Sequence, residues 1–225
     1  MLPLLSIETA TSVCSVAIHD NGTLVAHTEF HLRKVHAAAL TPTIDFLLKH
    51  CGILHQDLAA VAVSKGPGSY TGLRIGVATA KALSFTLDIP LISVNTLEAL
   101  ALAAVPFATD ESFRICTMLD ARRMEVYYAF FNHSGKLLAP VTAEIITEDL
   151  LSGILCKNPV LFCGDGAEKC GKFFKLFKNA YVLDSVYPSA KWVGAIANEK
   201  LHAQQFEDVV SFEPFYLKEF VKPTK

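Results

Sequence analysis

An apolar run at residues 58–64 is joined to a long helical pattern at residues 73–87 by a segment in which glycine keeps returning, Gly66-Pro67-Gly68-Ser69-Tyr70-Thr71-Gly72-Leu73-Arg74-Ile75-Gly76. The run is short enough for a buried strand, and the glycines allow a tight turn into the helix. Upstream, residues 4–7 and 13–18 read as strands. Asp20-Asn21-Gly22 follows, whose Asn-Gly supplies the positive φ angles of a hairpin turn into a third strand at 24–30. Leu40, Ile44, Leu47, Leu48 and Cys51 then recur at helical spacing, so a helix starts near His36 and is closed by Gly52. Strands that come first in succession and then alternate with helices predict an α/β sheet with an antiparallel hairpin at one edge.

A strand at 91–94 leads to Asn95, with Glu98 three residues on, a capping box for a helix through Ala104. Pro106 and Thr109-Asp110-Glu111 mark a boundary near residue 106, dividing the chain into lobes at 1–106 and 107–225. The second lobe reads as strands at 113–119, 126–132 and 136–139, a short helix after Thr147, a strand at 160–163, and helices at 167–177 and 190–204, the last returning to the first lobe.

With 225 residues, 52% of them hydrophobic, the chain can bury a large core. Its 20 basic and 22 acidic residues leave no global positive field to hold nucleic acid unaided. Cys14, Cys51, Cys116, Cys156, Cys163 and Cys170 form no C-x-x-C pair and suit a reducing compartment. The most apolar stretch, residues 99–108, is broken by Pro106 and too short to span a bilayer, and no signal-peptide pattern precedes it; a cytoplasmic protein is expected.

The glycine-rich segment has two physical readings. It is either a phosphate cradle at a helix N-terminus or a turn that packs the helix tightly on the sheet, with positive φ or close backbone approach at Gly68 and Gly72. It lacks the Gly-Lys-Ser/Thr of a P-loop and the G-x-G-x-x-G spacing. Asp120-Ala121-Arg122-Arg123-Met124-Glu125 is either an interface or cleft cluster or a solvated turn. Lys169, Lys172, Lys175 and Lys178 form a phosphate-contacting stripe or the wet side of a helix. Gly164-Asp165-Gly166 stands where a second phosphate-binding turn could occur.

As a string, the glycine-rich segment resembles the G-P-G-S-[FY]-T-G-[LV]-R-I-G signature of the TsaB/YeaZ family. Four further segments are similar to that family in the same order: Ile7-Glu8-Thr9-Ala10-Thr11 with Cys14-Ser15-Val16-Ala17, Leu91 to Leu97, Asp120 to Tyr127, and Glu213-Pro214-Phe215-Tyr216-Leu217-Lys218. The resemblance implies a two-lobed actin/sugar-kinase/Hsp70 fold. It also implies a non-catalytic scaffold subunit of the complex that puts threonylcarbamoyl on a tRNA adenosine. Its implied partners are a TsaD-like catalytic paralogue and a TsaE-like ATPase, with a homodimer when alone and tRNA met indirectly through the complex.

By the same resemblance the pairing surface is a helix bundle, mapped here to His36, Ala38, Leu40, Ile44, Leu47, Leu73, Val77 and Lys81. Candidate nucleotide or phosphate contacts are Glu8, Thr9, Thr11, Gly68 and Ser69, with Glu8 standing where the family more usually has Asp. Hydroxyl-rich turns of this kind also satisfy their own backbone. TsaD binds metal through two histidines one helical turn apart, whereas here Leu40 takes the partner position of His36. No metal is therefore expected, and His36 should face a partner or solvent. No cofactor is expected to bind tightly, ATP or ADP entering only in the assembled complex. The alternative, a freestanding ATP-dependent kinase or ATPase, needs a general base and a metal-holding acid, and the first cannot be identified in the sequence.

Overall fold

The computed structural model describes residues 2–123, 125–155 and 158–217; Met124, Cys156 and Lys218, named above, lie outside them. The first half runs β1 (Pro3–Glu8), β2 (Cys14–Asp20), β3 (Thr23–Phe30), α1 (His36–His50), β4 (Ala60–Gly66), α2 (Tyr70–Leu87), β5 (Leu91–Asn95) and α3 (Thr96–Ala104). The second runs β6 (Arg114–Asp120), β7 (Glu125–Asn132), β8 (Thr142–Ile145), α4 (Glu148–Leu155), β9 (Val160–Cys163), α5 (Asp165–Phe174), β10 (Ala180–Leu183) and α6 (Ala190–His202). The sheets are ordered β3-β2-β1-β4-β5 and β8-β7-β6-β9-β10, so one topology occurs twice. In each, an antiparallel meander is extended by two parallel strands.

Two expectations about the second sheet are corrected. Residues 136–139 are not a strand. The Asn132 carboxamide oxygen accepts from the Ser134 and Lys136 N–H groups and closes a turn there, leaving only an isolated bridge at Leu137. Regular pairing resumes at β8; the edge strands β8 and β10 lack the fully buried, continuously apolar run that makes β9 legible at the same four-residue length. Helix α2 begins at Tyr70 instead of 73, because the Ser69 hydroxyl caps it by accepting the Gly72 N–H at 3.3 Å.

One face of the first sheet, carrying Leu5, Ile7, Val16, Ile18, Val61 and Val63, packs under α1 and α2. The opposite face carries Ser6, Ala17, His19, Ala60 and Ala62, and α6 lies across it. Leu4, Ile92 and Val94 share this face, and the helix comes closest over Ser6 and His19, where a Cβ on Gly194 would stand 2.2 Å from the His19 ring. Helix α3, from the first half, joins Ile115, Leu119, Ala129 and Phe131 of the second sheet. Each half thus lends a helix to the other half's sheet, and α3 and α6 touch between the two.

Candidate functional site

The glycine-rich segment closes on the β1–β2 turn. Ser69 N–H donates to Ala10 O at 2.6 Å, and Thr9 Oγ1 donates to Gly72 O at 2.8 Å. A Cβ on Gly68 would lie 2.3 Å from Ala10 O, one on Gly72 2.1 Å from Thr9 O, and one on Gly76 2.2 Å from Thr9 Oγ1. Close backbone approach is therefore what Gly68 and Gly72 supply, while positive φ belongs to Gly66 at +114°. Thr11 Oγ1 accepts from Val13 N–H at 3.2 Å. The Thr9 hydroxyl proton and the Ser69 N–H are thus engaged within the chain, and a phosphate recruiting either would displace a bond worth about 1 kcal/mol, whereas the Thr11 and Ser69 hydroxyls act in these bonds as acceptors.

Glu8 ends β1 fully buried. Its Oε1 accepts from Ala10 N–H at 2.6 Å and from the Ser64 hydroxyl at 2.8 Å, while Oε2 has no partner. Burial pushes the carboxyl up to about 7, against smaller opposing effects of those hydrogen bonds. A carboxyl that holds its proton more tightly in the fold than in the unfolded chain stabilises fully below pH 4.5 and loses that contribution as pH rises to about 7. On the order of 3 kcal/mol is at stake. Unfolding free energy measured from pH 4.5 to 8 should therefore fall more steeply in the wild type than in Glu8→Gln. His19, held below its usual range by burial, slopes the opposite way in both proteins and cancels in the comparison. Parallel curves would refute the assignment.

The helix-pair residues separate into two sets. Leu40, Ile44, Leu47, Leu73 and Val77 are buried in this chain's own core, so they cannot form the outer surface of the pair. His36 is likewise buried, its Nε2 3.3 Å from Val13 O, rather than facing partner or solvent. Lys81 is directed to the carbonyls of Val210 and Phe212, at 3.1 and 2.8 Å. The reason is shared: the three- and four-residue spacing that reveals an amphipathic helix marks its inward face. Of the residues named, Ala38 is exposed; the exposed residues of α1 include the apolar Ala37, Pro42 and Phe46 beside Thr41, Asp45 and Lys49, and those of α2 include Ala78, Ala82 and Phe85 beside Thr71, Arg74 and Thr86. Phe46 is 55% and Phe85 74% exposed.

Two recognised strings 142 positions apart meet at α2. Arg74 Nε donates to the Tyr216 hydroxyl at 3.2 Å, and the guanidinium lies 4.2 Å over the Tyr70 ring. Phe215 N–H donates to Lys65 O at 2.7 Å, and Phe215 O abuts Gly66. Sequence reading saw both strings but had no means of pairing them.

In the second lobe Asp120 accepts from Lys169 Nζ at 2.6 Å and from Arg122 N–H at 2.8 Å, and its own N–H donates to Asp165 at 2.9 Å. Burial raises Asp165 above the usual carboxylate range. Arg122 and Arg123 both have positive φ and are exposed. Gly164, with φ of +95°, sits where a Cβ would be 2.2 Å from Met118 O, so this turn packs α5 onto β6 much as the first glycine loop packs α2 onto β1. Among the described residues no group of three His, Cys, Asp or Glu side chains is placed to hold a metal ion. Nor is any described helix long and apolar enough to cross a membrane.

A family model described as TsaD, tRNA N6-adenosine threonylcarbamoyltransferase, matches residues 30–219. The tRNA threonylcarbamoyladenosine biosynthesis protein TsaB of Bacillus subtilis is 36% identical over 166 residues, 72% of this chain and 71% of that protein. The Escherichia coli protein of the same name is 35% identical over 159 residues, 67% and 68% of the two chains. The structure of YeaZ from Pseudomonas aeruginosa superposes with a TM-score of 0.81 at 25% identity, covering 96% of this chain and all of that one. The ADPNP-bound activator of 2-hydroxyisocaproyl-CoA dehydratase from Clostridium difficile shares the fold, with a TM-score of 0.52 at 11% identity over 91% and 97% of the chains. The architecture is that of the two-lobed actin-like ATPases.

Proposed function

The chain belongs to the TsaB family of tRNA threonylcarbamoyladenosine biosynthesis proteins, and from that premise we propose that it is the non-catalytic scaffold of the transferring complex, gripping a TsaD-like catalytic paralogue through the outer face of α1 and α2. The observation that carries this is the set of apolar side chains exposed on the two helices among their polar residues. Phe46 and Phe85 stand largely in solvent beside Ala37, Ala38, Ala78 and Ala82, whose short side chains permit close helix approach. The same face supports a homodimer when no paralogue is present. A TsaE-like ATPase joins the pair, ATP or ADP is a ligand of the assembled complex, and the chain works in the cytoplasm. With a net charge of −2 it does not hold tRNA unaided.

Reconstitution of tRNA modification with and without this chain, beside an ATPase assay of the chain alone, tests the reading. Threonylcarbamoyl transfer should require the chain together with the paralogue, and the chain alone should not turn over ATP. Undiminished transfer in its absence, or steady hydrolysis by the chain alone, would overturn the proposal.

A further inference from the structure

Lys172, Lys175 and Lys178 are exposed, and among the described residues none has a carboxylate within ion-pairing distance. Lys169, the first of the same three-residue series, is by contrast paired with Asp120. The unpaired lysines border two adjoining cavities, about 560 and about 160 Å³, that share the Phe177 ring as a wall. The larger lies between α5 and the edge strand β10, with Phe174, Phe177 and Val182 making its apolar lining and Lys172 and Lys175 among its charged residues. Lys178 stands at the smaller. The larger cavity also contains Glu168, which accepts a hydrogen bond from the Tyr187 hydroxyl at 2.8 Å, and Asp184.

A volume of this size suits a nucleotide-sized ligand. Successive cations spaced along an aromatic wall match a strand whose phosphates need neutralising and whose bases need an apolar face. We propose that this groove is a contact for the tRNA in the assembled complex, with backbone phosphates on Lys172, Lys175 and Lys178 and an unstacked base against Phe177. The proposal rests on the family reading, which supplies tRNA as the substrate. It fits a chain that is nearly neutral overall, because three local phosphate contacts assist a grip provided mainly by other subunits.

The test is tRNA binding by the complex reconstituted from this chain and its paralogue, measured between 50 and 200 mM salt with the wild-type chain and with K172A/K175A/K178A. The three side chains are exposed, so the variant should fold and join the complex as the wild type does. Its affinity should fall about tenfold at the lowest salt, and the slope of log affinity against log salt should be shallower by about two. Unchanged affinity and slope in a variant complex that forms normally would overturn the groove while leaving the family reading intact. A wild-type chain that neither binds the paralogue nor supports modification would overturn both.

Discussion

Gly68→Val should lower the unfolding free energy by roughly 3 kcal/mol or more and the melting temperature by about 10 °C. The cause is local and steric: the new Cβ would stand 2.3 Å from Ala10 O and 2.7 Å from Ala10 Cβ, contacts that only backbone movement can relieve. That movement would break the Ser69 N–H bond to Ala10 O, which seats α2 against the β1–β2 turn. Gly171→Ala is the control, since nothing lies within 4 Å of its Cβ and alanine in a helix is favoured over glycine by up to about 1 kcal/mol. Thermal melting of both variants decides the matter. A Gly68→Val protein that melts with the wild type yet fails in reconstitution would mean that the loop touches a ligand instead of the β1–β2 turn.

Ala38→Asp should cost at least about 100-fold in affinity for the paralogue, and in self-association, while leaving the free chain as stable as before or slightly more so. The two signs differ for a physical reason. Ala38 is exposed in the first turn of α1, a turn with no acidic residue, where a carboxylate is favoured by the helix dipole by roughly 0.3–1 kcal/mol. Closed against another helix, the same carboxylate would be desolvated and unpaired. Phe85→Asp, near the C-terminal end of α2, removes a 74% exposed ring and should weaken association similarly. Sedimentation, pull-down with the paralogue and melting curves separate folding from binding. Wild-type dimerisation and wild-type paralogue affinity in two well-folded variants would place the interface elsewhere.

The inward faces of helices were legible because burial imposes a period on the sequence: Leu40, Ile44, Leu47 and Leu48 are all in the core. The outward face carries no such signal. Alanines at 37, 38, 78 and 82 are equally compatible with solvent and with a partner, so reading the apolar stripe as the interface chose residues already committed to the sheet. His36 was misplaced in the same way, for imidazole is common both buried and exposed, and its bond to Val13 O spans 23 positions.

The sequence by itself determined most of the elements, the two glycine turns and the family, since each is written in local spacing or in a contiguous string. Tertiary structure alone decided which glycines are obligatory through contact, that Gly68 and Gly72 face Ala10 and Thr9 whereas Gly171 faces nothing. It also decided that the two sheets repeat one topology, which the short, incompletely buried edge strands β8 and β10 did not announce. Lastly, it carried Tyr216 to Arg74 and drew Glu8 into a fully buried position, because contact and desolvation depend on what lies nearby in space and not along the chain.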